Sequence, residues 1–218
     1  MESAPTAAER RVAQITWAVL GASVVLIIGL FLTQGPSKIR QAKGPPLPRI
    51  AQVPPFQLTN QLGKPIGLDA FSGKVWVANL IFSRCPGPCT QMTRAMTEIR
   101  DRAGDPSQVA WLSLTADPEF DSPEVLLSYA KKWGADAPDW QFVTGLKSQV
   151  RSTAIHGLKM VLVDKEAYQR ESEEDLFLHS TRFILVDRAG WIRGVYEGTE
   201  KPAREALVQD IQKLVAER

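Results

Sequence analysis

One stretch, residues 74–99, KVWVANLIFSRCPGPCTQMTRAMTEI, constrains the fold more than any other. It opens as an unbroken apolar run over residues 75–82, rich in the β-branched and aromatic residues of a strand buried on both faces. The run stops at Ser83-Arg84 and delivers Cys85-Pro86-Gly87-Pro88-Cys89, which hold the chain's two cysteines. Cys89, Met92, Met96 and Ile99 then recur at three- and four-residue spacing, the pattern of one helix face. Both cysteines therefore sit where a central strand hands over to a helix. Unpaired N–H groups at a helix start carry partial positive charge and favour thiolate over thiol. A thiolate there can attack a disulfide or bind a soft metal.

The N-terminus carries a second constraint. Residues 12–33, VAQITWAVLGASVVLIIGLFLT, contain no charge and are long enough to cross a bilayer as a helix. The run ends in Thr33-Gln34-Gly35-Pro36 rather than a small-residue cleavage site, so the expectation is an uncleaved anchor. Residues 1–11 form a tail before it, and residues 34–55, with Pro45, Pro46, Pro48, Pro54 and Pro55, form a semi-rigid linker. Residues 56–218 are long enough for one domain with a full core. Lys and Arg number 26 against 24 Asp and Glu, too small an excess to suggest a nucleic-acid partner.

Along the domain, a hairpin is expected from residues 56–59 and 66–71, then the buried strand and the cysteine helix. Residues 109–115 read as a second central strand. Asp121-Ser122-Pro123-Glu124 reads as a helix start with Asp121 as the cap, the helix ending near Gly134. A short strand at 140–143, a helix over 146–156 and a short strand at 160–163 follow. Residues 165–175 are polar and look like a surface insertion. Residues 182–187 and 191–196 flank Arg188-Ala189-Gly190 as a hairpin, and residues 200–218 close the chain as an amphipathic helix.

This order describes an α/β thioredoxin-like sandwich, with an N-terminal transmembrane helix. The sequence resembles the Sco/SenC family of membrane-anchored copper proteins that assist cytochrome c oxidase assembly. The resemblance runs through Gly73-Lys74-Val75-Trp76-Val77, Phe82-Ser83-Arg84-Cys85-Pro86 with its CxxxC, residues 117–123 (DPEFDSP), residues 140–145 (WQFVTG) and His179-Ser180-Thr181. It departs at Thr90, where the family has proline. It implies a copper site of Cys85, Cys89 and His179, taking Cu(I) and leaving Cu(II) open. Two thiolates and an imidazole suit monovalent copper. Thioredoxin-fold oxidoreductases keep a cis-proline where this chain has Leu178-His179-Ser180-Thr181.

The resemblance implies a metallochaperone whose partners are the oxidase's copper-binding subunit and other copper chaperones or thiol reductants. A second class is a thiol-disulfide reductase using Cys85 and Cys89 in exchange with the oxidase's ligand cysteines. A third is a peroxidase or redox sensor, which leaves His179 without a role. Of the other candidates, His156 suits a helix C-terminus, Met92 and Met96 suit core packing, and Asp117 lies on a loop facing the site. Asp117 and Glu119 lack an EF-hand pattern. The expected location is a bacterial inner membrane with the C-terminal domain facing the periplasm or outside. The basic residues count against that topology: Arg10 and Arg11 precede the span, while Lys38, Arg40, Lys43 and Arg49 follow it.

Overall fold

The computed structural model describes residues 14–26, 45–85, 87–166, 168 and 176–217. The chain divides into two units, Met1–Pro45 and Pro46–Arg218. In the first, residues 14–26 form helix α1. Among the described residues no helix is long and apolar enough to cross a membrane. The rest of the expected span over 12–33 lies outside them.

The second unit is built on β4 (Val75–Ile81) and β5 (Val109–Thr115), parallel and in register from Val75↔Val109 to Ile81↔Thr115. Every residue of both strands is buried, as the continuous apolar runs require. β6 (Trp140–Thr144) continues the parallel set beside β5. The hairpin β2 (Gln57–Asn60) and β3 (Pro65–Gly67) adds to the far side of β6, and β3 gives way to a 3-10 turn over Leu68–Phe71. On the other flank β9 (Arg182–Val186) runs antiparallel to β4 and pairs with β10 (Trp191–Glu197), which takes the short β1 (Ala51–Gln52) at its edge. The sheet order is therefore β1-β10-β9-β4-β5-β6-β2-β3. A separate two-stranded sheet pairs β7 (Leu162–Asp164) with β8 (Phe177–His179).

Helix α2 (Pro88–Ala103) follows β4, α3 (Pro123–Lys132) follows β5, α4 (Lys147–Arg151) follows β6, and α5 (Lys201–Ala216) closes the chain. Cys89, Met92, Met96 and Ile99 form the buried face of α2, as their spacing indicates. Two expectations are corrected. Asp121 does not cap α3; Ser122 does, its Oγ accepting from the Val125 N–H, with Pro123 opening the helix. The expected helix over 146–156 is α4 followed by a π-helical turn, Ser152–Gly157, which leaves His156 exposed.

The folded unit takes in the second half of the proline-rich stretch. The Ile50 N–H donates to the Ile192 carbonyl and the Arg49 guanidinium lies over the Trp191 ring. Arg193, its side chain only 8% exposed, donates to the Leu47 and Pro48 carbonyls and, at 2.8 Å, to Asp187 Oδ2. Removing one member of such a buried pair strands the other charge and costs about 3–5 kcal/mol. A chain beginning at Pro46 is thus expected to unfold in one cooperative urea transition. Arg193→Ala should lower its stability by about 3 kcal/mol or more and open residues 46–52 to proteolysis, both read against the parent domain.

Candidate metal centre

Parallel strands bring their carboxyl ends to one end of the sheet, where ligands bind in folds of this kind. Here that end collects the loops after β4 and β5. The antiparallel pairing of β9 and β10, from Ile192↔Val186 to Glu197↔Arg182, brings the start of β9 and the end of β10 to it as well.

The cysteine turn leaves β4 through Phe82 and Ser83. The Cys85 N–H donates to the Phe82 carbonyl at 3.2 Å, and Gly87 precedes a helix that opens on Pro88. Proline at the first helical position costs nothing, because its missing N–H has no partner there. Cys85 is half-buried and Cys89 fully buried, and no disulfide joins them. The Cys89 carbonyl accepts from Thr93 Oγ1, which also meets the Tyr129 hydroxyl at 2.8 Å. Tyr129 is held above its ordinary range by burial.

The Cys89 thiol is pushed far up by its hydrogen bond to Cys85, then by burial, then by charge on Cys85; a backbone hydrogen bond from Phe82 works the other way. A helix start favours thiolate in general, but at Cys89 these effects outweigh it. In the reduced pair these effects favour the protonated form of Cys89.

Sequence reasoning missed the residue that holds this turn. Asp121 is fully buried and its carboxylate accepts from the Ser83 N–H at 3.1 Å, from the Ser83 hydroxyl and from the Thr115 hydroxyl. It ties the exits of β4 and β5 together one step before the cysteines. The available signal was Ser83 and Thr115, polar residues ending two apolar strands. Burial raises the Asp121 carboxyl above its ordinary range, opposed by the Ser83 and Thr115 donors. Asp117 is occupied: Arg84 Nη2 donates to it at 2.5 Å, and the same guanidinium stacks on Phe120 at 4.2 Å.

His179 is the last residue of β8, paired with Leu162, and β9 begins three residues later at Arg182. Most of the expected insertion over 165–175 lies outside the described residues, in the stretch of chain between β7 and β8. Two residues before His179, the Phe177 ring packs edge-on against Phe82 at 5.4 Å. Two residues after it, the Thr181 carbonyl accepts from the Gly198 N–H at 2.8 Å. The His179 imidazole lies outside the described atoms, and among those described no three His, Cys, Asp or Glu side chains gather into a metal-binding group. Met92 and Met96 are core residues without exposure.

The SCO1/SenC family model matches residues 46–216. The chain belongs to the SCO1/SenC family. The SCO1 protein homolog of Bacillus subtilis (strain 168) is 29% identical over 163 residues, 74% of this chain and 81% of that protein. BsSco, a member of the Sco family of cytochrome c oxidase assembly proteins in which a disulfide switch was identified, has a similar structure. Its TM-score is 0.67 at 27% identity, over 79% of this chain and 99% of that one. Bradyrhizobium japonicum ScoI, solved with copper bound, gives 0.63 at 21% identity over 75% and 99%, a likeness of fold. The thioredoxin-like α/β fold is thus that of the Sco family.

Asp121→Ala would leave three donors without their acceptor, two of them on Ser83, at about 1–3 kcal/mol for each one left buried. The expected loss in urea unfolding is about 3 kcal/mol, with Asp121→Asn losing less because one oxygen remains. The pH dependence has a definite sign. Above about pH 4 the unfolded carboxyl has lost its proton while the folded one, with its raised pKa, still holds it. This contribution is full at low pH and disappears as pH rises through the folded value. Asp121→Asn should abolish that part of the slope.

Proposed function

We propose that this chain is a membrane-anchored copper metallochaperone. It binds Cu(I) through Cys85, Cys89 and His179 and hands it to the copper-binding subunit of cytochrome c oxidase. The observation that carries this reading is the meeting of two parts of the chain distant in sequence. The cysteine turn and the β8 strand of His179 stand at one end of the sheet, in contact through Phe82 and Phe177. The donor set fits the cargo, since thiolates and imidazole are the soft and intermediate ligands that monovalent copper prefers. The copper bound in the Bradyrhizobium japonicum relative and the oxidase-assembly role of BsSco support the same reading. The uncharged run over 12–33 supplies the anchor, and the site's chemistry favours a bacterial inner membrane with the domain facing outward. Fusion of alkaline phosphatase after Arg218 tests this orientation: an active fusion supports it, and a stable inactive one sinks it.

Cys85 and Cys89 are the clamp. Their sulfurs come from one short turn braced by Asp121, so little ordering is needed at loading. Loading must displace the proton held on Cys89. Apparent affinity for Cu(I) should therefore rise about tenfold per pH unit for each proton released. The measurement is competition against a Cu(I) chelator across neutral pH, with X-ray absorption to count sulfur and nitrogen neighbours. Loss of either cysteine should remove most affinity. His179→Ala should leave a two-sulfur site weaker by about tenfold, or about 1.4 kcal/mol. A pH-independent affinity, or an unchanged first shell in His179→Ala, overturns the assignment.

One observation favours a second reading, the thiol-disulfide reductase. Cys85 is the more exposed sulfur and Cys89 the buried one, the arrangement of an attacking and a resolving thiol. In that reaction the Cys85 thiolate attacks a substrate disulfide and expels one substrate thiolate. Cys89, losing its proton, then attacks the mixed disulfide and releases the second. His179 has no part in it. Exchange activity unaffected by His179→Ala, together with unchanged copper binding, selects this reading.

A further inference from the structure

The hairpin bearing His179 is not hydrogen-bonded into the main sheet through its strands; β7 and β8 pair only with each other. Its distance from the cysteines is therefore set by other contacts, among them buried Leu162, the Arg151 and Lys147 pairs with Asp164, and two on either side of His179 itself. One is the edge-on packing of Phe177 on Phe82. The other lies on the far side of His179 and is tighter. Gly198, in the turn between β10 and α5, donates its N–H to the Thr181 carbonyl, and Thr181 Oγ1 donates to Glu197 just before it. Met92, one helical turn after Cys89, meets Gly198 from below. A Cβ placed on Gly198 would overlap the Met92 Sδ and stand 2.5 Å from its Cε and 2.8 Å from the Thr181 carbonyl oxygen. Three segments thus close on a point where no side-chain carbon fits: the cysteine helix, the chain leaving His179, and the β10–α5 turn.

We propose that Gly198, seated on Met92, is a positioning residue for the metal site. It sets how closely the strand of His179 approaches the helix of Cys89. This rests on the reading of Cys85, Cys89 and His179 as the copper ligands. Met92 can yield because its thioether is flexible, but the Thr181 carbonyl is backbone, so Thr181 and the β10–α5 turn must separate if residue 198 gains a methyl group. The movement is directed along the chain into His179 two residues earlier. Cys85 and Cys89 are held separately, by Asp121 and by α2, and should not follow it.

The test uses the reduced protein, as the parent chain, Gly198→Ala, and Gly198→Ala with Met92→Ala, which opens space beneath the new methyl group. Three quantities are read: the Cu(I) neighbours by X-ray absorption, the affinity by chelator competition, and the midpoint potential of the copper-free Cys85/Cys89 pair. Gly198→Ala is expected to keep both sulfurs and the parent potential, lose the nitrogen neighbour, and bind about tenfold more weakly, the scale of outer-shell losses in metal sites. The double variant should regain the nitrogen neighbour. A parent-like nitrogen neighbour in Gly198→Ala overturns the proposal. So does a joint loss of sulfur, potential and folding, which would make Gly198 merely structural, and so does a double variant no better than the single. A parent protein with sulfur neighbours alone sinks the copper reading itself, and is told apart because it fails before any substitution.

Discussion

Burial of β4 and β5 on both faces is the constraint on which the rest of the structure depends. A strand with no solvent face cannot carry reactive side chains along its length, because each polar group would need a partner inside the core. β4 makes one exception at Asn79, whose Oδ1 accepts from Ser113 Oγ, itself the acceptor of the Trp140 indole N–H. Everything else polar is deferred to the strand exits. There the parallel pairing sets Ser83 beside the loop of Thr115 and Asp121, and one carboxylate binds both exits. The cysteines come next because the chain is free to turn only after that bond is made. A central-strand register in the sheet thus becomes the placement of two sulfurs.

The parts of this arrangement legible in the sequence were those governed by local pattern. The run over 75–82, the α2 stripe and the hairpin around Gly190 each follow from residue spacing, and each is present. Three features were not legible, for one reason. Asp121 has the composition and position of a helix cap, and only the neighbouring strand shows that its acceptors are already taken. β8 is three residues long and pairs with β7 across a polar segment, so no periodicity marks it. Gly198 is one glycine in a turn, and its meaning lies in Met92 and Thr181, distant in sequence. In each case the deciding partner comes from another segment, and a single sequence does not print such partners.

The two halves of the candidate site differ in how firmly they are held. The cysteine turn is tied to the exits of the central strands through Ser83 and Asp121, and Cys89 on α2 is fully buried. Among the described residues the histidine hairpin is attached by buried Leu162, by Phe177, by Thr181 at Gly198, and by Arg151 and Lys147 at Asp164. A two-stranded element outside the central sheet opens at lower free energy than the core around it. Under the proposed copper delivery, this asymmetry has a consequence. In the proposed reading, two donors from the cysteine turn would keep a monovalent soft ion bound while the third, on the hairpin, is exchanged for a donor of the recipient. A site with all three donors on the rigid core would retain the ion against any partner that could offer only one ligand at a time. Transfer in the proposed reading is therefore a stepwise replacement that begins at the histidine side and ends at the buried cysteine.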